Sequence, residues 1–121
     1  MKMTVCKSFR FDAAHFLPNY EGKCSRLHGH TWILEVELLG SVNSRTGFVV
    51  DFVRLKNAVN REVLERLDHS LLNDTVGNPT CENLLCWVQK ALEPWVIHET
   101  KCALTRLRLW ETPDSFAELK L

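Results

Sequence analysis

The spacing of apolar residues changes period twice along this chain, and that limits the folds open to it. Residues 4–12 alternate, with Phe9 and Phe11 on one face and Arg10 and Asp12 on the other. Residues 31–39 alternate again: Trp32, Leu34, Val36 and Leu38 take one face, and Ile33, Glu35, Glu37 and Leu39 the other. A period of two belongs to half-buried strands. From Phe52 the spacing becomes three or four, through Leu55, Val59, Val63 and Leu67, the stripe of an amphipathic helix. Asp51 stands where an N-cap is needed. A second helix opens after Thr80 as N-cap, with Glu82 in its first turn, where a carboxylate suits the helix dipole. Its apolar set is Leu84, Leu85, Val88 and Leu92, and Pro94 predicts its end. Period two returns over residues 103–111, where Leu107 and Leu109 face away from Arg106 and Arg108. Residues 47–51 read as a short extra strand, residues 13–30 mostly as a long loop, and residues 116–121 as a last strand.

The resulting order, β-β-(β)-α-α-β-β, keeps the helices together in the chain. They are expected to cover one face of an antiparallel sheet, an α+β fold in a single domain spanning residues 1–121. The opposite sheet face carries Glu35, Glu37, Arg106 and Arg108. It is too mixed for a second core, so it faces either water or the inside of an oligomer.

The chain's 15 Lys+Arg balance 15 Asp+Glu, which argues against a protein built mainly to hold nucleic acid. At 45% hydrophobic and 25% charged residues it is neither disordered nor membrane-embedded. No apolar run approaches a membrane span, and the N-terminal residues lack the apolar core of a signal peptide. Cys6, Cys24, Cys81, Cys86 and Cys102 are odd in number and contain no CxxC pair. A disulfide framework is not expected, and a reducing cytoplasm is.

Histidines carry the chemical signal. His28-Gly29-His30 puts two imidazoles at i and i+2, which point the same way in an extended segment. His15 follows the small pair Ala13-Ala14, which leaves room for something bulky. Three imidazoles with an open fourth position suit a catalytic zinc, although short histidine motifs also occur as ordinary hydrogen-bonding residues. Cys24 lies four residues before His28. It is either a fourth, shell-closing ligand or a free thiol activated by a nearby cation.

Asp68-His69, at the end of the first helix, is either a proton-shuttling pair or a helix-terminal histidine favoured by the dipole. Glu111 closes an apolar strand, either as a solvated end or as a buried anchor for a cationic or amidine-like group. His98 has no partner in sequence and reads as a bystander. Cys6, Cys81, Cys86 and Cys102 read as small buried hydrophobes.

Six motifs in order carry a family resemblance: Phe11-Asp12-Ala13-Ala14-His15, Cys24-Ser25-Arg26-Leu27-His28-Gly29-His30, Gly47-Phe48-Val49-Val50-Asp51-Phe52, Leu67-Asp68-His69-Ser70-Leu71-Leu72-Asn73, Asn78-Pro79-Thr80-Cys81-Glu82-Asn83 and Trp110-Glu111-Thr112. The chain resembles the 6-pyruvoyltetrahydropterin synthase / 6-carboxytetrahydropterin synthase family from about residue 4 to about residue 118. That resemblance implies the tunnelling fold, with subunits forming a trimeric barrel and two trimers stacking into a homohexamer. It implies zinc on His15, His28 and His30, with Cys24 as catalytic thiol. Asp68 and His69 would complete the proton-transfer set from a neighbouring subunit. Glu111 would anchor the pterin ring, helped by Thr80 and Glu82.

The implied activity is that of a zinc-dependent lyase acting on 7,8-dihydroneopterin triphosphate. The products are 6-carboxy-5,6,7,8-tetrahydropterin, acetaldehyde and triphosphate, on the route to 7-deazaguanine (queuosine). The three residues between Cys24 and His28 resemble the carboxy branch, and the cysteine separates this chain from a third branch that carries glutamate there. Phe48 stands where many bacterial members have Met, a volume-tolerant difference. The rival readings are a pyruvoyl-type synthase on the same fold and a non-catalytic zinc module closed by Cys24. Lys23, Arg26 and Arg10 are the cations near these motifs, and sequence alone does not choose among them for the triphosphate.

Overall fold

β1 (Lys2–His15) and β2 (His28–Ser41) form a long antiparallel hairpin in the computed structural model, which describes residues 1–121; Lys2 pairs with Ser41 and His15 with His28. β2 also pairs antiparallel with β4 (Ala103–Thr112), which in turn pairs with β5 (Ser115–Lys120). A two-residue strand β3 (Ser70–Leu71) joins β1 in parallel at Ala13 and Ala14, so the sheet order is β3-β1-β2-β4-β5. Both hairpin strands run further than their alternation suggests. Ala14 pairs with Gly29 and Ala13 with His30, so the connecting loop shrinks to residues 16–27 and both histidine segments are strand.

One sheet face is apolar and covered by helices. Phe9, Phe11, Trp32, Leu34, Val36, Leu38, Leu107 and Leu109 form it, and all are buried. α1 (Phe52–Val59) begins on Asp51, whose carboxylate accepts the Val53 N–H at 2.8 Å. It continues through a π-helical turn at Asn60–Leu64 into α2 (Glu65–Leu67). Leu55, Val59, Val63 and Leu67 of this arm are fully buried, as expected from their spacing, whereas Phe52, the first member of the expected stripe, is exposed at the helix start. α3 (Cys81–Glu99) starts on Thr80, whose hydroxyl accepts the Asn83 N–H at 3.1 Å. It buries Leu84, Leu85, Val88 and Leu92.

The other face holds a charge network. Arg106 lies 3.1 Å from Glu37 and 3.4 Å from both Glu35 and Glu118, and Arg108 lies 2.7 Å from Glu118. The Trp110 indole donates to Glu35 at 2.7 Å. No helix is long and apolar enough to cross a membrane.

Three sequence-based expectations are corrected. Residues 47–51 form no strand and pair with no strand of the sheet. Instead Val50 buries its side chain and the Phe48 carbonyl accepts from the Asn43 N–H. α3 runs through Pro94 to Glu99. Proline removes one helical hydrogen bond, but buried Val96 and the Arg54 guanidinium, which donates to the Glu99 carbonyl at 2.8 Å, hold the last turns. Cys6 and Cys86 are exposed rather than buried, while Cys81 and Cys102 are half-buried.

Candidate active site

The site sits where β1 ends and β2 begins. Period two puts His15, His28 and His30 on the helix-covered side of the sheet, in line with Ala13 and Trp32. Antiparallel pairing sets His15 directly across from His28. One potential ligand atom from each of the three histidines lies within 4.8 Å of the others, and Cys24 does not join this group.

Hydrogen bonding fixes the rings. His15 Nδ1 donates to the Pro79 carbonyl at 2.9 Å, and His28 Nδ1 to the Arg26 carbonyl at 2.7 Å. A carbonyl can only accept, so both Nδ1 atoms carry the proton and both Nε2 atoms keep a free lone pair. The Nε2 atoms of His15 and His30 are buried without any hydrogen-bond partner. Burial pushes the His15 and His30 pKa values down, which keeps these imidazoles neutral and able to ligate. Orphaned buried nitrogens normally cost stability. Here two of them converge in a three-nitrogen cluster, the donor set of a metal site with an open fourth position. Trp32 packs edge-on against His15 and His30, with ring centroids 5.1 and 5.4 Å away.

Asp68 and His69 lie at the sheet edge beside the cluster. One Asp68 oxygen accepts the Asp12 N–H at 3.0 Å and lies 2.9 Å from His69 Nδ1. The His69 N–H donates to the Asp12 carbonyl at 2.6 Å. His69 adopts φ 57°, a left-handed conformation that is uncommon for a non-glycine residue. His69 lines an open groove together with His30 and Gly29.

Glu111 reaches the cluster from β4, with its carboxylate 3.8 Å from His30 Nε2. The start of α3 is close by: the Glu111 and Glu82 charges both act on the Cys81 thiol, which burial first and foremost pushes up to about 11. The Thr80 hydroxyl is occupied as the helix cap, and Glu82 is exposed. Cys24 is half-buried in a single helical turn, Lys23–Ser25, and its carbonyl accepts the Leu17 N–H at 2.8 Å. A cavity of about 680 Å³ opens between His30, Glu111 and the polar sheet face.

Two supporting residues lie within the quoted motifs, but their roles have no signal in a single sequence. The Pro79 carbonyl sets the His15 tautomer, and a carbonyl leaves no trace in residue identity. Asn73 clamps the chain just after His15, accepting from the Phe16 N–H at 3.0 Å and donating to the Phe16 carbonyl at 2.8 Å. His98 lies away from the cluster, beside a groove at α3's far end.

Residues 4–121 match the family model described as 6-pyruvoyl tetrahydropterin synthase. The chain belongs to that family. Within the 6-pyruvoyl tetrahydropterin synthase family, a Synechocystis sp. protein named 6-carboxy-5,6,7,8-tetrahydropterin synthase is 43% identical over 95 residues, covering 74% of this chain and 74% of its own. A Pyrococcus furiosus protein named dihydroneopterin monophosphate aldolase is 38% identical over 120 residues, covering 99% of both chains. The structure of Caenorhabditis elegans 6-pyruvoyl tetrahydropterin synthase matches with a TM-score of 0.81 at 25% identity, covering 100% of this chain and 96% of that one. The tunnelling fold expected from the motifs is thereby established, with the two-residue parallel β3 as an addition to the antiparallel sheet.

Proposed function

We propose that this chain is a zinc-dependent 6-carboxy-5,6,7,8-tetrahydropterin synthase. It converts 7,8-dihydroneopterin triphosphate, with water, into 6-carboxytetrahydropterin, acetaldehyde and triphosphate. The observation that carries the reading is the three-imidazole cluster with the Glu111 carboxylate 3.8 Å from one of its orphaned nitrogens. It sets a metal-ligand set beside a group suited to the pterin edge.

His15, His28 and His30 would hold zinc, whose chemistry there is to polarise the side-chain oxygens of the substrate and acidify the adjacent C–H bonds. Glu111 accepts paired N–H bonds from the 2-aminopyrimidinone edge, a directional, charge-assisted contact. Thr80 and Glu82 support that edge from the start of α3. The Cys24 thiolate takes a proton from the side-chain carbon, and His69 returns one, held in its tautomer by Asp68. The Cys24–His28 spacing supports the carboxy branch over the pyruvoyl one, and the cysteine sets the chain apart from the branch that carries glutamate there.

Subunits form a trimeric barrel, and two barrels stack into a homohexamer. The open edges of β1 over most of its length and of β5 support this, since unpaired edges call for a partner. In that assembly Asp68 and His69 complete the proton-transfer set of a neighbouring subunit's site. The charged sheet face lines the barrel. The enzyme is cytoplasmic and its product feeds 7-deazaguanine (queuosine) synthesis.

The full-length likeness to a protein named dihydroneopterin monophosphate aldolase favours a second reading, retro-aldol cleavage of a monophosphate. Incubation with each phosphorylated pterin and mass analysis of the products separates the two. Conversion of the triphosphate to 6-carboxytetrahydropterin supports the synthase. A 6-pyruvoyl product marks the other branch, and a phosphorylated two-carbon aldehyde from the monophosphate marks the aldolase.

A further inference from the structure

Which ring nitrogen of His15 keeps its lone pair is decided by a peptide unit outside the histidine cluster. His15 Nδ1 donates to the Pro79 carbonyl at 2.9 Å, and this leaves the buried, unpartnered Nε2 free for a metal. The Pro79 carbonyl and the Thr80 N–H belong to one rigid trans peptide unit and point opposite ways. Whatever holds the Thr80 N–H therefore also aims the carbonyl at His15.

The Thr80 N–H donates to the Asn78 carbonyl at 2.9 Å, which closes Asn78-Pro79-Thr80 into a three-residue turn. The Asn78 carbonyl accepts a second bond, from the Asn83 side-chain amide at 2.9 Å. A carbonyl cannot donate, so the NH2 of Asn83 makes this contact. Asn83 lies in the first turn of α3, where its own N–H donates to the Thr80 hydroxyl at 3.1 Å. The residues that follow it, Leu84 and Leu85, are buried in the core. The Asn83 side chain thus ties a tight turn to a helix that packing holds in place.

We infer that Asn83 is a positioning residue for the metal centre: acting through Asn78 and the Pro79–Thr80 peptide, it keeps His15 Nδ1 as the donor and Nε2 as the ligand atom. The inference rests on the zinc reading of the cluster proposed above. Asn83 is exposed, makes no hydrogen bond to a histidine and lines neither groove beside the cluster. Without its amide the Asn78 carbonyl keeps only the Thr80 bond, and the peptide plane is freer to turn away from His15. Hydrogen-bond partners behind a ligating histidine are worth about tenfold to a hundredfold in metal affinity. His28 supplies an internal reference, because its Nδ1 donates to the Arg26 carbonyl at 2.7 Å, in the loop before β2 and apart from α3.

The test is zinc affinity by chelator competition, together with the histidine ring N–H signals of the zinc-loaded protein in proton–nitrogen NMR spectra, for the full chain, Asn83→Ala and Asn83→Asp. Alanine favours the helix, and aspartate matches the amide in shape and suits a helix start, but neither donates to Asn78. Both variants therefore keep α3 and lose only the tie to the turn. The expected result is zinc affinity lower by about tenfold in both. The His15 Nδ1–H should exchange faster with solvent, and the His28 Nδ1–H should exchange as in the unaltered protein. Unchanged zinc affinity in both variants overturns the inference, and so does an equal change at His15 and His28, which marks a general loosening of the site. An unaltered protein that binds no zinc overturns the zinc reading and this inference with it, whereas one that binds zinc and is indifferent to both substitutions overturns this inference alone.

Discussion

Asp68 Oδ1 lies 2.9 Å from His69 Nδ1 while accepting the Asp12 N–H at 3.0 Å, so one carboxylate oxygen ties the His69 ring to the edge of β1. The carboxylate can accept from the ring but not donate to it. This leaves His69 Nε2 as the ring nitrogen that Asp68 does not hold. The left-handed backbone at His69 fixes the direction in which that ring leaves the chain.

Asp68→Asn keeps an oxygen for the Asp12 N–H but removes the charge that stabilises an imidazolium. Turnover is expected to fall by about 10² or more, the usual contribution of a positioned acid–base group. Zinc content should be unchanged. Steady-state kinetics with metal analysis on the same sample checks both, and unaltered turnover would remove this pair from the chemistry.

His28→Ala is expected to lose zinc. Two nitrogens remain, too few protein donors for a stable site. Metal analysis after dialysis reads the result, and stoichiometric zinc in the variant means that His28 is not a ligand. The unaltered protein, loaded with zinc, should also melt at a higher temperature than after chelation, since metal bound to the native state alone stabilises it.

Cys24→Ala separates a thiol that moves protons from a thiol that closes a metal shell. The histidine cluster forms without Cys24. The variant should therefore fold and keep zinc, with turnover lowered by about 10² or more. Lost zinc assigns Cys24 to the metal, and unchanged turnover removes it from the proton path.

Gly40→Ala tests packing at the opposite end of β2. A Cβ there would meet Cys102 Sγ at 2.8 Å and Val49 Cγ1 at 3.0 Å. Overpacking of this kind costs about 1–3 kcal/mol. Combining it with Cys102→Ala should recover part of the loss, a non-additivity expected of touching residues. Denaturant melts of the single and double variants measure it, and additive losses would mean that Cys102 is not the obstacle.

The site was legible in the sequence where side-chain identity carries the chemistry. His28 and His30 point the same way because β2 is extended through Gly29, and Glu111 stands at the β4 end that its motif implied. The core stripes of α1 and α3 were legible for the same reason, since burial follows period. What was not legible depends on partners distant in sequence. The Pro79 carbonyl sets the His15 tautomer across 64 residues, and Asn73 holds Phe16 across 57. α3 outlasts Pro94 because Val96 finds a core that local propensity does not report. Gly47–Asp51 has strand-like residues but closes back on its own loop, the Phe48 carbonyl accepting from the Asn43 N–H, a local pairing that alternation does not report.

The central claim, a synthase of the carboxy branch, is tested most directly by the ratio of acetaldehyde to triphosphate released from 7,8-dihydroneopterin triphosphate by the zinc-loaded protein. Carbon–carbon cleavage and triphosphate loss belong to one turnover in that chemistry. The account predicts one acetaldehyde for each triphosphate, with 6-carboxytetrahydropterin as the pterin product. Triphosphate released without acetaldehyde, or no release of either, would contradict it.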